Sequence, residues 1–233
     1  MKIALLGYGR MGKEIEKIAL ERGHEIILKK SNDHSFEGLE SADVAIDFSV
    51  PTAAVENITT CLESNIPVVS GTTGWLENYD KMVALTEEKQ GAFIYASNFS
   101  VGVNIFFELN KYLAKLMAPL QQYNISMEEI HHTQKLDAPS GTAISLANDI
   151  ISSTNYSQWA LDKGDETTIP IVAKRIPDVP GTHSIAYQSQ IDTIEITHTA
   201  HNRKGFALGA VIAAEWLIGK KGVFSMKEVL NIG

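Results

Sequence analysis

Cysteine is almost absent from this chain of 233 residues, because only Cys61 occurs. No disulfide can form within the chain, and such cysteine usage is typical of a reducing compartment. Cys61 lies in an apolar helical pattern, which favours a buried small hydrophobic residue over a reactive thiol. Positive charge is also scarce, with 20 Lys and Arg against 28 Asp and Glu and a net charge of −8. We expect no nucleic-acid partner, because phosphate contacts need clustered basic residues.

Long apolar runs are missing as well. No run reaches the roughly 20 residues that a membrane-spanning helix needs. The first predicted strand begins at Lys2, which leaves no room for a signal peptide. We therefore expect a cytoplasmic protein with no membrane partner. The composition, 44% hydrophobic and 21% charged, is that of a globular protein with one large domain or two small ones.

Strands and helices alternate in the first hundred residues. Apolar runs predict strands at 2–6, 25–28, 43–48, 66–70 and 92–96, and helical spacing predicts helices at 11–22, 52–64 and 77–89. This alternation favours a parallel sheet that is covered on both faces.

The pattern changes after residue 100. It predicts helices at 103–117 and 143–152, strands at 123–131, 169–175, 183–190 and 193–198, a polar mobile loop at 155–166, and an apolar helix at 206–218 that packs on the first domain. Consecutive strands without helices indicate a mixed or antiparallel sheet. We predict an α/β protein with a Rossmann-type doubly wound parallel sheet in residues 1–101 plus 205–233. Residues 102–204 form an inserted α+β domain built on a mixed sheet with mostly exposed edges.

The first motif, "GYGRMG" at residues 7–12, fits the G-x-G-x-x-G pattern of dinucleotide-binding turns. It follows a predicted strand and opens a predicted helix, which is the context that this motif requires. Gly7 permits the tight turn, Gly9 lets the backbone approach a pyrophosphate, and Gly12 allows close packing. The N–H groups at the helix N-terminus can bind the phosphates.

The end of the second predicted strand reads Lys29-Lys30, where NAD-binding sheets usually carry an acidic residue. Lysines at this place can pair with a 2′-phosphate, which favours NADPH over NADH. Two further loops follow strands of the same sheet, "SGTTGW" at 70–75 and "ASNFSVGVN" at 96–104. Gly71, Thr72 and Thr73 could approach the nicotinamide, although turn chemistry alone also explains such residues.

The stretch "HHTQKLDAPSGTA" concentrates the titratable groups of the second domain. The strand at 123–131 delivers His131 and His132 to its end, and Lys135 lies in the following loop. Ser140 is a plausible N-cap, so the N–H groups near Gly141 and Thr142 form an anion site. Imidazole titrates near neutrality, and a lysine can act as a general acid or bind an anion.

Paired histidines also raise the question of a metal. Apart from Glu128 and Glu129 on the same strand, no third ligand stands at helical or tight-loop spacing. We therefore expect no metal site.

Six segments together resemble the dihydrodipicolinate reductase family, in order and over nearly the whole chain: "GYGRMG", "DFSVPTAA", "SGTTGW", "SNFSVGVN", "EEIHHTQKLDAPSGTA" and "HTAHNRKGFALGAVIAAEWL". The resemblance implies reduction of 4-hydroxy-tetrahydrodipicolinate, a cyclic dicarboxylate of lysine and diaminopimelate synthesis, by NADPH or NADH. It also implies a homotetramer. The family's acidic-basic pair after the second strand is Lys29-Lys30 here, and its Arg-x-Gly is Arg175-Ile176-Pro177.

The resemblance also implies roles for particular residues. His131 is the general acid or base, and Lys135 protonates the reacting ring. The substrate carboxylates are held by His132, Lys135, Gly141 and Thr142. The cofactor is held by Gly7, Gly9, Arg10, Met11, Gly12, Lys29 and Lys30 on one side and by Gly71, Thr72, Thr73, Ser97, Asn98 and Phe99 at the nicotinamide, with Arg203 and Phe206 near the domain junction.

Two other readings stay open at this point. The chain could be another Rossmann dehydrogenase that acts on a small carboxylate, in which case the anion site would be kept and Lys135 would not matter. It could also be a non-catalytic homologue that binds NADPH without turnover.

Overall fold

The computed structural model describes residues 1–31, 35–202 and 204–233. Its strands are β1 Lys2–Leu6, β2 Glu25–Lys30, β3 Val44–Asp47, β4 Val68–Ser70, β5 Ala92–Tyr95, β6 Asn124–His131, β7 Gln158–Leu161, β8 Thr168–Arg175, β9 Gly181–Gln188, β10 Thr193–Ala200 and β11 Gly222–Phe224. Its helices are α1 Arg10–Glu21, α2 Pro51–Glu63, α3 Tyr79–Glu88, α4 Val101–Met117, α5 Gly141–Ile151, α6 Lys204–Leu217 and α7 Met226–Leu230. The chain divides into two compact units, Met1–Asn104 with Lys204–Gly233, and Ile105–Arg203.

The first unit is a parallel sheet with the strand order β11-β5-β4-β3-β1-β2. Successive side chains of a strand point to opposite faces, so each apolar strand supplies both layers of core. Ile3 and Leu5 pack with α1, α6 and α7 on one face, whereas Ala4 and Leu6 pack with α2 and α3 on the other. Cys61 is fully buried in the second layer, as predicted.

The second unit is a five-stranded mixed sheet with the order β10-β9-β6-β8-β7. The central strand β6 pairs in parallel with β8 and antiparallel with β9. Its burial alternates strictly, so that Ile125, Met127, Glu129 and His131 share the buried face. The core on that face includes apolar residues of α4 and α5.

The predicted fold class is confirmed: the chain contains a doubly wound parallel sheet and a second, mixed sheet. The expected loop at 155–166 was wrong in part, because it contains β7, which pairs in parallel with β8. Polar residues around this four-residue strand mask its pattern in the sequence. The strand β11 was also missed, and it pairs in parallel with β5 at the edge of the sheet. No described helix is long and apolar enough to cross a membrane.

Candidate active site

The glycine-rich turn between β1 and α1 is shaped by close backbone contacts. Gly7 has a φ of +104°, and a Cβ there would lie 2.1 Å from the carbonyl oxygen of Phe48. A Cβ on Gly12 would lie 2.3 Å from the carbonyl oxygen of Gly7. A Cβ on Gly9 would meet no atom of the described residues within 4 Å, and no side chain caps α1 at this residue. The turn therefore leaves the N-terminus of α1 open to an anion.

A cavity of about 360 Å³ lies beside this turn. Gly7, Gly9, Lys30, Phe48 and Asn57 are among the residues that line it. Asn57 Oδ1 is buried and has no hydrogen-bond partner among the described residues. A buried acceptor without a partner is rare in proteins.

The two lysines of β2 differ in their surroundings. Lys30 lines the cavity, is 5% exposed, and holds its Nζ 4.6 Å from the ring centre of Phe36. Lys29 points away along α1, where its Nζ lies 2.5 Å from Glu16 Oε1 and 5.1 Å from the ring centre of Tyr8. Glu16 therefore neutralises Lys29 beside the turn, and Lys30 is the lysine that faces the cavity.

Asp47, at the end of β3, ties the loops of the sheet together and was not singled out from the sequence. Its carboxylate is fully buried and accepts four hydrogen bonds of 2.6–2.8 Å, from Ser49 Oγ, Asn57 Nδ2, Ser70 Oγ and Thr72 Oγ1. Burial raises the pKa of Asp47, and these hydrogen bonds oppose the rise. Asp47 stands between three apolar residues and Phe48 in the run "DVAIDF", and an acid in that setting is the signal that could have identified it.

The loops predicted to flank the nicotinamide are positioned by contacts with the side chains of Phe48 and Asp47. A Cβ on Gly71 would lie 2.2 Å from the ring of Phe48, and that ring lies 5.7 Å from the ring of Phe99. Thr72 is buried and turned towards Asp47, and its carbonyl accepts a 2.7 Å hydrogen bond from Trp75 Nε1.

The other predicted cofactor residues differ in exposure. Thr73 and Ser97 are exposed, and Asn98 Oδ1 accepts a 2.9 Å hydrogen bond from the N–H of Ser100. Arg10 opens α1 and is exposed, whereas Met11 packs partly against the core. Arg203 lies outside the described residues.

The second candidate region is built around Glu129 on β6. The Glu129 side chain is fully buried, and its Oε2 accepts a 2.9 Å hydrogen bond from the N–H of Ser140. Arg175 Nη2 lies 3.1 Å from Glu129 Oε1. His131 Nδ1 and His183 Nε2 lie 3.6 Å and 3.8 Å from Oε2. The side chains of three neighbouring strands thus converge on one carboxylate.

Arg175 fixes the loop that carries Lys135. Besides its contact with Glu129, its guanidinium donates to the carbonyl oxygens of Lys135 at 3.3 Å and Asp137 at 2.6 Å. Within the loop, Lys135 Nζ lies 2.8 Å and 2.9 Å from the two carboxylate oxygens of Asp137. Hydrogen bonding to Lys135 lowers the pKa of Asp137.

Ser140 begins α5 as the predicted N-cap. Its Oγ accepts a 3.2 Å hydrogen bond from the N–H of Ala143 and lies 3.1 Å from His183 Nε2. A Cβ on Gly141 would meet no described atom within 4 Å, so the start of α5 is open at this residue. The first N–H groups of a helix have no partner inside the helix, which makes this terminus an anion site.

The two adjacent histidines lie in different surroundings. The ring of His131 is buried edge-on against His183, with the ring centres 5.1 Å apart. The strand ends at His131, and His132 instead lines a cavity of about 410 Å³ together with residues 177–180 and 201–202.

Burial dominates the proton affinities of the cluster. Burial lowers the pKa of His183 to about 4, with the charge of His131 adding to the effect. The pKa of His131 is also lowered, first by burial and then by Lys135 and Arg175, while Glu129 opposes the change. Burial alone would raise the pKa of Glu129, but the hydrogen bonds from Ser140 and Arg175 and the charge of His131 lower it overall. Glu129 is therefore ionised and His183 neutral at neutral pH.

The donor atoms of Glu129, His131 and His183 lie within 4.8 Å of one another, a spacing compatible with a metal ion. Spacing in the sequence offers only Glu128 and Glu129, on the same strand, as further metal ligands. It does not reveal His183, which lies on β9. Arg175 already supplies a cation to the Glu129 carboxylate. The guanidinium would repel a metal ion at this place.

Three residues of the cluster were not predicted as site residues: Glu129, Arg175 and His183. From the sequence, Glu129 is a candidate only for a metal ligand, and Arg175 is only a departure from a family motif. A usable signal did exist for Glu129, since it occupies a buried position in the alternation of β6, two residues before His131.

The first unit is a parallel sheet with an open glycine turn, and the second carries buried histidines and a lysine loop. Together these features indicate a nucleotide-dependent oxidoreductase. The chain belongs to the dihydrodipicolinate reductase family: residues 1–99 match the N-terminal part of that family and residues 102–230 the C-terminal part. It is an NAD(P)H-dependent enzyme of this family.

Individual relatives agree with this membership. The chain is 58% identical over 235 residues to a 4-hydroxy-tetrahydrodipicolinate reductase of Christiangramia forsetii, covering 99% of this chain and 98% of the relative. A solved dihydrodipicolinate reductase from Paenisporosarcina sp. TG-14, with dipicolinate bound, has a TM-score of 0.76 at 26% identity and covers 98% of both chains. Aspartate semialdehyde dehydrogenase II of Vibrio cholerae has a TM-score of 0.52 at 12% identity, covering 92% of this chain and 97% of that one, and shares the fold alone.

Proposed function

We propose that this chain reduces 4-hydroxy-tetrahydrodipicolinate to tetrahydrodipicolinate in the synthesis of lysine and diaminopimelate. The observation that carries the proposal is the loop from His131 to Thr142. Arg175 fixes this loop through the carbonyl oxygens of Lys135 and Asp137. One loop thereby combines two groups that carry protons with the open N-terminus of α5.

A nicotinamide cofactor supplies the hydride for this reaction. Loss of the 4-hydroxyl as water leaves a conjugated imine, and the ring that accepts the hydride then needs one proton. Lys135 is the proposed donor of that proton, and His131 the general acid or base next to it. Such positioned donors typically contribute about 10²–10⁴-fold to a rate.

The same loop suits a substrate with two carboxylates. The N–H groups of Gly141 and Thr142 at the start of α5 would bind one carboxylate, since helix N-termini favour anions. Lys135 and His132 would hold the second. Support comes from the Paenisporosarcina relative, which was solved with dipicolinate, a cyclic dicarboxylate.

The cofactor proposed for the first unit is NADPH. The turn formed by Gly7, Gly9 and Gly12 would hold its pyrophosphate, in the cavity that Asn57 also lines. Lys30 lines that cavity, where it would pair with a 2′-phosphate. Lys29 already contacts Glu16 and would add little.

The proposal includes a homotetramer. Ile105, Leu109, Tyr112 and Leu116 form an apolar stripe at helical spacing on α4, and they are 46–63% exposed. Exposed apolar patches of this kind mark protein interfaces. Light scattering should give the mass of four chains, and Leu109→Glu with Leu116→Glu should give smaller species. A monomeric wild type would contradict this part of the proposal.

The experiment that tests the function follows NADPH oxidation with substrate made fresh from pyruvate and aspartate semialdehyde. Lys135→Ala is compared with Lys163→Ala, which removes an exposed lysine elsewhere in the same unit. We expect turnover by the wild type and the control, and a loss of at least about 100-fold in Lys135→Ala with NADPH binding kept.

Each alternative reading predicts a different result. A non-catalytic homologue would bind NADPH and turn over no substrate in any variant. A dehydrogenase with another substrate would leave this one untouched. Equal rates in the two lysine variants would overturn the role of Lys135.

A further inference from the structure

Glu129 is unusual among the acids of this sheet, because its side chain is fully buried although a carboxylate contributes nothing to apolar packing. Its carboxylate is reached from four places: β6 through His131, β8 through Arg175, β9 through His183, and the turn before α5 through Ser140. An ionised carboxylate is costly to bury unless charges and hydrogen bonds surround it. The chain therefore keeps a charge where an apolar residue would pack more easily.

The ring of His131 faces this carboxylate with one particular nitrogen. Nδ1 is buried, has no hydrogen-bond partner among the described residues, and lies 3.6 Å from Glu129 Oε2, slightly beyond hydrogen-bond length. Hydrogen bonds of catalytic groups are often long before a substrate binds and shorten afterwards. On the other side of the ring, Nε2 lies beside Gly181, where a Cβ would be only 3.1 Å away.

His183 does not compete with His131 for the Glu129 carboxylate. Burial lowers its pKa to about 4, so the imidazole is neutral at neutral pH. Because Ser140 Oγ already accepts from the N–H of Ala143, its hydroxyl proton is available to His183 Nε2, 3.1 Å away. His183 then accepts a hydrogen bond at Nε2, and its neutral ring packs edge-on with the ring of His131.

We propose that Glu129 is a positioning residue that holds the N–H of His131 Nδ1, so that Nε2 is the nitrogen that exchanges a proton during the reaction. The inference rests on the proposed function, because it assigns a task to His131 within that reaction. Buried carboxylates that orient an imidazole in this manner fix both its tautomer and its rotation.

The charges around His131 make the effect of removing Glu129 depend on pH. Glu129 stands on its own strand, Lys135 and Asp137 on the following loop, Arg175 on β8 and His183 on β9. Burial, Lys135 and Arg175 lower the pKa of His131, while Glu129 and Asp137 raise it. Removing the charge of Glu129 should therefore lower the pKa of His131 further. A smaller protonated fraction costs more activity at high pH than at low pH.

The test compares Glu129→Gln and Glu129→Asp with Glu128→Gln. Glu128 is the matched control, because it is the neighbouring acid on β6 and pairs with Lys174 instead of the cluster. For Glu129→Gln we expect kcat to fall by at least about tenfold at pH 8 and less than about threefold at pH 6, with KM nearly unchanged. Glu129→Asp should recover part of the loss, and Glu128→Gln should match the wild type. A loss that is equal at both pH values would overturn the positioning role.

Nitrogen NMR of the His131 ring separates this inference from the reaction itself. In the wild type, neutral His131 should carry its proton on Nδ1, and Glu129→Gln should titrate at lower pH than the wild type. A proton on Nε2, or unchanged titration in a folded Glu129→Gln, would overturn the inference. The tautomer of His131 is measured on the wild type without substrate, so this test remains possible even if Glu129→Gln fails to fold. A wild type that shows the Nδ1 tautomer but no turnover would instead contradict the proposed function.

Discussion

Lys135 and Asp137 form an ion pair in which Nζ lies within hydrogen-bond distance of both carboxylate oxygens, at 2.8 Å and 2.9 Å. The Asp137 side chain is 58% exposed, whereas that of Lys135 is 23% exposed. Asp137 thus occupies the ammonium group that we propose binds a substrate carboxylate. If Lys135 binds the substrate as proposed, it must exchange the Asp137 carboxylate for that of the substrate.

Replacing Asp137 by Asn should therefore tighten the binding of dicarboxylates. We expect Kd for pyridine-2,6-dicarboxylate to fall about two- to fivefold in Asp137→Asn, a size set by the small net energy of exposed ion pairs. Calorimetry at constant salt and pH measures it. Asp162→Asn, which removes an exposed acid elsewhere in the same unit, controls for net charge. Weaker binding by Asp137→Asn would show that Asp137 helps to hold the substrate.

The two lysines of β2 should contribute unequally to cofactor choice. In Lys30→Met, KM for NADPH should rise about tenfold, since a charge-assisted phosphate contact of about 1.5 kcal/mol or more is lost. KM for NADH should change less than about twofold. Lys29→Met is the matched control and should leave both values nearly unchanged, because Lys29 contacts Glu16. An equal rise for both cofactors in Lys30→Met would contradict recognition of the 2′-phosphate.

His183 should make the fold sensitive to acid. Burial lowers its folded pKa to about 4 from the ordinary value of 6.5, so the unfolded chain binds more protons between these values. Stability is therefore lost as pH falls from about 6.5 to about 4, by up to about 3 kcal/mol.

Urea denaturation across this pH range measures the effect. His183→Gln should flatten the slope, whereas His201→Gln, at an exposed position, should keep it. An unchanged slope in His183→Gln would assign the acid sensitivity to other groups.

Gly181 should matter through His131 alone. Its φ is not in the left-handed region, but an added Cβ would lie 3.1 Å from His131 Nε2 and 3.3 Å from Cδ2. Gly181→Ala should push the ring by a few tenths of an ångström and lower kcat about tenfold, since such displacements are costly in catalysis. The free energy of unfolding should fall by less, about 1 kcal/mol. Wild-type kcat in Gly181→Ala would show that the ring tolerates this displacement.

Much of the fold could be predicted, because local patterns report local environments. The runs at 2–6 and 43–48 are apolar on both faces, and this identifies strands that are covered twice. β7 was missed because four residues between polar flanks carry too little periodicity, and its pairing with β8 is a long-range choice. β11 was missed for a similar reason, since it has only three residues and is separated from the apolar helix α6 by the short segment 218–221.

The candidate site could be predicted only where its residues are neighbours in the chain. His131, Lys135, Ser140 and Gly141 lie within eleven residues and form a recognisable motif. The contact between Glu129 and Arg175 joins residues 46 positions apart, and strand order brings them together. Periodicity predicts which side of a strand is buried, but it does not predict which strand lies beside it.

In the proposed reaction, a hydride passes from the nicotinamide to the ring of a cyclic dicarboxylate. The most direct test supplies NADPH with both C4 hydrogens replaced by deuterium and weighs the product by mass spectrometry. We expect a product heavier by one deuterium for each cofactor oxidised, formed at least about 100-fold more slowly by Lys135→Ala. Cofactor oxidation that leaves the product unlabelled, or no product at all from a wild type that binds NADPH, would contradict it.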